Sequence, residues 1–304
     1  MDATDRALVE LGRALQAQAY QFVTVTPETH ARVLAADPHD AANLRDVFGW
    51  GRPFLPDVLP NALRALAQSA GVLVQDGRHL RATVRFSSLE GRLFVHSAYP
   101  TSEHDSVFFG PDTYRFAAFI RRTLAPNTGT LVDIGAGSGA GGITASQLAK
   151  RIILGDVNER ALRYARVNAT LAGVDAEVVA SDVLGSIAEP VDAVIANPPY
   201  LRDGQHRLYR DGGGDFGEGL AIRIVRESLA RLVPGGVILL YTGAPVVQGD
   251  DVIRAAVEPL CRAAGATLSY EELDPDVFGS ELGTPAYAGV DRIAAVGVSI
   301  RLPR

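Results

Sequence analysis

Cysteine is almost missing from this chain of 304 residues, which holds only Cys261. Neither an intrachain disulfide nor a cysteine-based zinc site is available, and a reducing compartment, the cytoplasm, is the expected setting. No stretch approaches the roughly 20 apolar residues of a membrane-spanning helix. The opening MDATDRALVE carries acids and no apolar run, so no secretory signal is expected. Lysine is nearly absent too, with Lys150 alone among many arginines. The formal charge is −6, which argues against a general phosphate-backbone binder but leaves room for a local basic patch. The 6 histidines have no ligand spacing with one another or with the cysteine, so no metal is expected. His104 and His206 flank the loops of interest and read as surface groups. Gly137-Ser138-Gly139 lacks the form of a nucleophile elbow, so a serine hydrolase is not supported.

The composition itself is that of a folded protein, 47% hydrophobic and 21% charged. Its length suits two domains. Residues 1–100 read as an N-terminal unit and 101–304 as a second domain. In the first, Leu8, Leu11 and Leu15 mark an amphipathic helix over residues 3–20. Thr26-Pro27 reads as the cap and first turn of a helix reaching Leu34. Residues 40–48 suggest a short helix ended by Gly49-Trp50-Gly51, and Leu59 to Ala70 another, closed by Gly71. The period then changes. Val72-Leu73-Val74, the turn signal Asp76-Gly77 and the alternating run His79–Phe86 predict a hairpin, and Leu93–Ala98 a third strand. Helices followed by a small hairpin suggest an α+β, winged-helix-like module for substrate or partner recognition. Its alternation puts His79, Arg81 and Arg85 on the outer face.

From residue 128 onward strand and helix patterns alternate. Strands are predicted at 130–134, 152–155, 176–180, 191–196 and 236–241, with helices at 140–150, 158–171 and 219–232. Later strands near 266–271 and 290–301 would make an antiparallel edge. This is the pattern of a doubly wound α/β domain with a mostly parallel sheet of seven strands.

The strand Leu131–Ile134 runs straight into Gly135-Ala136-Gly137-Ser138-Gly139. Glycines there let the chain turn tightly and let a ligand lie against bare peptide groups. Asp133, just before the loop, suits a cationic amino acid moiety and would repel a pyrophosphate. Asp156 ends the next strand, where an acid can accept both hydroxyls of a ribose, with Val157 following it. Asp182, after the third strand, can accept from an adenine amino group, with Val183 against the ring. An NAD-binding unit is the competing reading of the glycines alone. The order of these acids resembles the class I S-adenosylmethionine-dependent methyltransferases, over roughly residues 105–304. It implies S-adenosyl-L-methionine as cofactor, held by Asp133, Gly135, Ala136, Gly137, Gly139, Asp156, Val157, Asp182, Val183 and Asn197.

Asn197-Pro198-Pro199-Tyr200 follows the strand Val191–Ala196. Two prolines stiffen the loop and remove two backbone donors. The Asn197 side-chain oxygen and the Pro198 carbonyl can then accept both hydrogens of one planar amino group, and the Tyr200 ring can lie against it. The tetrapeptide is similar to that of N-methyltransferases acting on exocyclic or amide nitrogen, which implies catalytic roles for Asn197, Pro198, Pro199 and Tyr200. The stretch Asp211–Leu220, followed by a helix and Leu232-Val233-Pro234-Gly235-Gly236, resembles the HemK/PrmC family of release-factor glutamine methyltransferases. The family's Arg-Pro-Glu-Thr-Glu segment reads Phe108-Phe109-Gly110-Pro111-Asp112-Thr113-Tyr114 here, keeping only its Pro–acid–Thr core. Its Glu-x-Gly after the PGG strand reads Tyr241-Thr242-Gly243.

These features point to an S-adenosylmethionine-dependent N-methyltransferase acting on a protein glutamine or a small molecule. A nucleobase in ribosomal or transfer RNA is the alternative acceptor, and no membrane partner is expected. A non-catalytic adaptor on a degenerate methyltransferase scaffold is the reading of another class, opposed by the intact acids and tetrapeptide.

Overall fold

The computed structural model describes all 304 residues. Helix α1 (Ala3–Ala17) is capped by the Asp2 side chain, which accepts from the Asp5 N–H at 2.8 Å, and it buries Leu8, Leu11 and Leu15. Thr26 caps α2 (Pro27–Ala36) and Pro27 opens it, as the sequence suggests. The expected helix at 40–48 is instead a π turn at Asp46–Trp50, with Gly51 as its left-handed cap. Gly49 does not end it. A Cβ there would meet the Phe22 ring at 2.3 Å, so this glycine serves packing rather than termination. Helix α3 (Asn61–Ser69) follows.

The expected continuous strand 79–86 breaks at Thr83. Two separate hairpins result: β1 (Leu73–Asp76) with β2 (His79–Ala82), and β3 (Val84–Leu89) with β4 (Arg92–Ser97). Glu90 and Gly91 form the second turn, both with positive φ, which matches the twist of paired strands. Val84 and Phe86 join the N-terminal core together with Leu8, Leu15 and Phe48. The opposite face, expected to be solvated, is also covered: His96 stacks on Phe109 at 5.0 Å, and Arg85 is 4% exposed. Period-2 alternation reports two faces but not which of them a second domain covers. The same core takes in Ala161, Tyr164, Val167 and Leu171 from a helix of the sheet region, so the N-terminal elements and the sheet region share one packed core.

The α/β region opens with α4 (Pro111–Thr123). Strands β5 (Thr128–Ile134), β6 (Ala149–Asp156), β7 (Glu177–Ala180), β8 (Val191–Ala196) and β9 (Leu232–Val247) are parallel. A two-residue β10 (Asp250–Asp251) pairs back on β9. Strands β11 (Thr267–Asp274) and β12 (Arg292–Arg301) complete the sheet as its antiparallel edge, in the order β11-β12-β9-β8-β5-β6-β7. Helices α5 (Ala140–Ala145), α6 (Glu159–Ala172), α7 (Gly219–Leu229) and α8 (Val252–Ala263) lie between strands. This is a doubly wound, Rossmann-like sheet of seven strands on its main path, with a helical N-terminal unit beside it. No helix is long and apolar enough to cross a membrane.

Helix α5 ends at Ala145 rather than near 150. Ala149 and Arg151 pair with Thr128 and Thr130 of β5, so the sheet claims residues the helical pattern had suggested. Both faces of the sheet are covered, which explains the nearly unbroken apolar strands. The winding reverses between β5 and β8. Ile134 and Ala196 are register partners there, so the glycine loop and Asn197 leave the sheet side by side. That crevice is where open α/β sheets bind ligands.

Candidate active site

A cleft of about 220 Å³ opens over the carboxyl ends of β5, β6 and β8. It gathers the predicted residues Asp133, Gly135, Ala136, Gly137, Asp156, Val157, Asp182, Val183, Asn197, Pro198, Pro199 and Tyr200. Gly139 is the exception. It caps α5 at φ +78°, packed near Leu154 and Ile143, and shapes the loop from behind.

Gly135 and Gly137 have φ of +66° and +56°, a region that disfavours side chains. The Gly137 N–H donates to Asp156 Oδ2 at 2.8 Å, which ties the loop to the end of β6. Asp156 Oδ1 accepts from the Asn158 N–H at 2.9 Å. Burial raises the Asp156 pKa, opposed by these backbone donors. Each carboxylate oxygen can accept a second hydrogen bond, so capacity for two hydroxyls remains. Beside it Val157 is 56% exposed, an apolar side chain left on the cleft wall without a protein partner to cover it.

Asp133 is 2% exposed, and its Oδ2 accepts from the Gly142 N–H at 2.8 Å. Desolvation pushes its carboxyl up to about 7. Asp182 lines the cleft but is already engaged. Arg223 of α7 grips both its oxygens, at 2.8 and 2.9 Å. The sequence carried no signal for that pairing, because it joins residues from separate strand–helix units.

The Asn197 amide makes no hydrogen bond within the chain and lies on the cleft wall. The Tyr200 ring is not free to lie against a substrate as expected. It is buried, packed edge-on to Phe278 at 5.7 Å and against Gly243, where a Cβ would come within 2.3 Å. Its hydroxyl donates to Asp112 Oδ2 at 2.7 Å, and the Tyr241 hydroxyl donates to Asp112 Oδ1 at 2.8 Å. Burial and the nearby carboxylate hold the Tyr200 pKa well above its usual value, so this hydroxyl stays a donor. Asp112 is therefore a buried anchor for the tetrapeptide. Its position is set by α4, whose first turn is closed by Thr113: the Thr113 Oγ1 accepts from the Gly110 N–H at 3.2 Å. The Pro–acid–Thr core thus sits directly behind Tyr200.

Two further segments wall the cleft. Phe108 stacks on Tyr209 at 6.1 Å, and the Tyr209 hydroxyl donates to the Thr101 carbonyl at 2.6 Å. His104 and His206 stay at the surface; His206 pairs with Asp211 at 2.5 Å. No group of three or more His, Cys, Asp or Glu side chains is placed to hold a metal ion.

Residues 115–246 match the family model of the methyltransferase small domain. The release factor glutamine methyltransferase of Deinococcus radiodurans is 32% identical over 180 residues, 53% of this chain and 58% of that protein. The 4-amino-L-phenylalanine/4-methylamino-L-phenylalanine methyltransferase of Streptomyces pristinaespiralis is 34% identical over 168 residues, 50% of this chain and 53% of that one. Trm5b from Pyrococcus abyssi aligns with a TM-score of 0.53 at 15% identity, covering 81% of this chain and 72% of that one, a likeness of fold alone. The chain spans little more than half the length of these two curated relatives. Residues 115–246 are thus similar to a methyltransferase small domain and to the release-factor glutamine methyltransferases, on a Rossmann-like sheet, and the match implies S-adenosyl-L-methionine as cofactor.

Proposed function

We propose that this protein is an S-adenosylmethionine-dependent N-methyltransferase whose acceptor presents a planar amide or amino nitrogen, on a protein glutamine or a small molecule. The observation that carries the reading is the register of Ile134 with Ala196, which sets a glycine loop and an unpartnered Asn197 amide against one cleft. The residues present fit the cofactor. Asp156 accepts the ribose hydroxyls, the exposed Val157 side chain and Val183 flank the adenine, and Asp182 faces its amino group. Asp133 holds the ammonium of the methionine portion.

The bound cofactor supplies a methyl group activated by its sulfonium charge. Asn197 Oδ1 and the Pro198 carbonyl hold the two hydrogens of the acceptor nitrogen and aim its lone pair at that carbon. Pro199 keeps the turn rigid, and Tyr200, pinned by Asp112, fixes its depth. The methylated nitrogen sheds one proton to water after transfer, so no strong general base is needed and the protein's contribution is positioning and electrostatic matching.

Asp156→Ala removes the ribose acceptor and the Gly137 anchor together. Cofactor affinity measured by calorimetry should fall by about 10–100-fold, the worth of one or two hydrogen bonds to a charged group. An unchanged dissociation constant would contradict the ribose assignment.

Asp133 makes cofactor binding depend on pH. Its carboxyl titrates near 7 in the free chain, so at pH 6 it is mostly protonated, and pairing with an ammonium expels the proton. Affinity should rise about tenfold per pH unit below 7 and level off above it. Asp133→Asn should abolish that slope and the proton release. Stability of the free chain runs the other way. The native state holds this proton more tightly than the unfolded chain, whose carboxyl titrates near 3.8, so the stabilisation is full below that value and lost as the pH rises through about 7.

The activity itself is tested with methyl-labelled S-adenosylmethionine and glutamine peptides, aryl amines and RNA as acceptors. Label in a peptide or small molecule is expected. Label confined to RNA would reverse the choice of acceptor, and cofactor binding without transfer to any of them would favour the adaptor reading.

A further inference from the structure

Besides the acids and the glycine loop, the cleft is lined by rings from three separate segments, Phe108, Tyr209 and Phe278. Each is tied to the tetrapeptide. The Phe278 ring meets the Tyr200 ring edge-on, with centroids 5.7 Å apart. Phe108 lies over Gly110, where a Cβ would come within 2.4 Å of the ring, at the start of the helix that carries Asp112 to the Tyr200 hydroxyl. Tyr209 runs nearly parallel to Phe108, with 10° between the ring planes. Its loop is fastened to the residue after the tetrapeptide, because the Leu201 N–H donates to the Arg210 carbonyl at 3.1 Å.

Phe278 holds its ring there against its backbone preference. It sits in the connection between β11 and β12 with φ +57° and ψ +36°. Among the non-glycine residues with positive φ, Val183 and Phe278 are the two that line the cleft. A bulky aromatic residue is a rare occupant of this region, which glycine or asparagine fills more readily. Neighbouring hydrogen bonds fix the turn: the Val277 N–H donates to the Ile293 carbonyl at 2.7 Å, and the Glu281 N–H to the Phe278 carbonyl at 2.8 Å. Strain of this kind collects at ligand clamps.

The same walls offer no free charge. Arg210 is the one cation that lines the cleft, and Glu281 and Asp203 both pair with it. The Tyr209 hydroxyl is spent on the Thr101 carbonyl. A phosphate polymer needs unpaired cations. A glutamine side chain brings its amide on a flexible aliphatic stem. Rings gain most from another ring, packed edge-on or offset, beyond the area it buries.

Building on the methyl-transfer reading, we infer that Phe278, with Phe108 and Tyr209, selects an uncharged small aryl amine as the acceptor, a flat ring whose exocyclic NH2 reaches Asn197 and the Pro198 carbonyl. The nitrogen lone pair forms the new N–C bond as the methyl C–S bond breaks, and that electron pair stays on sulfur. One nitrogen proton leaves to water, giving the N-methyl aryl amine and S-adenosylhomocysteine. The test uses the full chain and three acceptors: 4-methylaniline, N-acetylglutaminamide and an adenosine-rich RNA decamer. On the chain saturated with S-adenosylhomocysteine, calorimetry should show 4-methylaniline binding about tenfold or more tighter than either of the others. With S-adenosylmethionine it should also be methylated with the highest kcat/KM. Phe278→Leu keeps an apolar side chain but no ring, and should weaken 4-methylaniline about tenfold, with the loss in KM rather than kcat. Phe278→Tyr keeps the ring and should retain the affinity. A ring that merely packs on Tyr200 would, when lost, lower the thermal midpoint and leave that affinity alone. Equal binding of the acceptors, a preference for either of the other two, or a 4-methylaniline affinity indifferent to Phe278→Leu would each overturn the inference. Failure of S-adenosylhomocysteine to bind, or of all three acceptors to take the methyl group, would instead overturn the methyl-transfer reading beneath it.

Discussion

Asn197→Ala is expected to lower the rate of methyl transfer by about a thousandfold while S-adenosylmethionine affinity changes by no more than about fivefold. The side chain is well placed for a role confined to the acceptor. It leaves the sheet beside the glycine loop, lines the cleft and makes no internal hydrogen bond, so its removal disturbs no packing partner. What is lost is one of two acceptors on the nitrogen, and with it the direction of the lone pair. Asn197→Asp keeps an oxygen in place and should retain more activity than alanine. Single-turnover rates and calorimetric affinities on the same preparations separate the two effects. An equal loss in both would reassign Asn197 to cofactor binding.

Asp112→Ala should be the most damaging change away from the reacting atoms. It leaves the hydroxyls of Tyr200 and Tyr241 buried without an acceptor. At about 1–3 kcal/mol for each of the two unsatisfied groups, the stability loss should come to about 2–6 kcal/mol. The transfer rate should fall about a hundredfold, because Tyr200 no longer fixes the tetrapeptide. Asp112→Asn still offers one oxygen and should recover part of both losses. Tyr241→Phe removes one of the two tyrosine bonds, leaves Tyr200 and Arg115 donating to Asp112, and should cost less than half as much stability. If Asp112→Ala were to lose stability with full activity per folded molecule, Asp112 would be a structural residue without bearing on the tetrapeptide.

The parts of this molecule that the sequence makes legible are those fixed by local chemistry. Apolar runs ended by a glycine, an acid or the Asn-Pro-Pro turn mark β5, β6 and β8, and the order of those strands along the chain already puts Asp133, Asp156 and Asn197 at one end of a sheet. Thr26 announces its helix because capping is a contact of two or three residues. What stayed hidden depends on which surface meets which. Arg85 alternates correctly for an outward residue, but Phe22 from far along the chain and Tyr114 from α4 make that face an interior one. Asp112 looks like part of a connecting segment until α4 turns it towards two tyrosines distant in sequence. Arg223 reaches Asp182 across a gap of 41 residues that no periodicity encodes. Helix α8 did carry a signal, in Ile253, Val257 and Cys261 four residues apart behind the Asp251 cap, but Pro259 inside it weakens the pattern.

The decisive measurement is a crystal structure of the chain grown with S-adenosylhomocysteine. The ribose hydroxyls are expected within hydrogen-bonding distance of Asp156, the ammonium at Asp133 and the sulfur facing Asn197. A nucleoside bound elsewhere, or a cleft closed by the Phe108 and Tyr209 segments with no room for one, would contradict that placement.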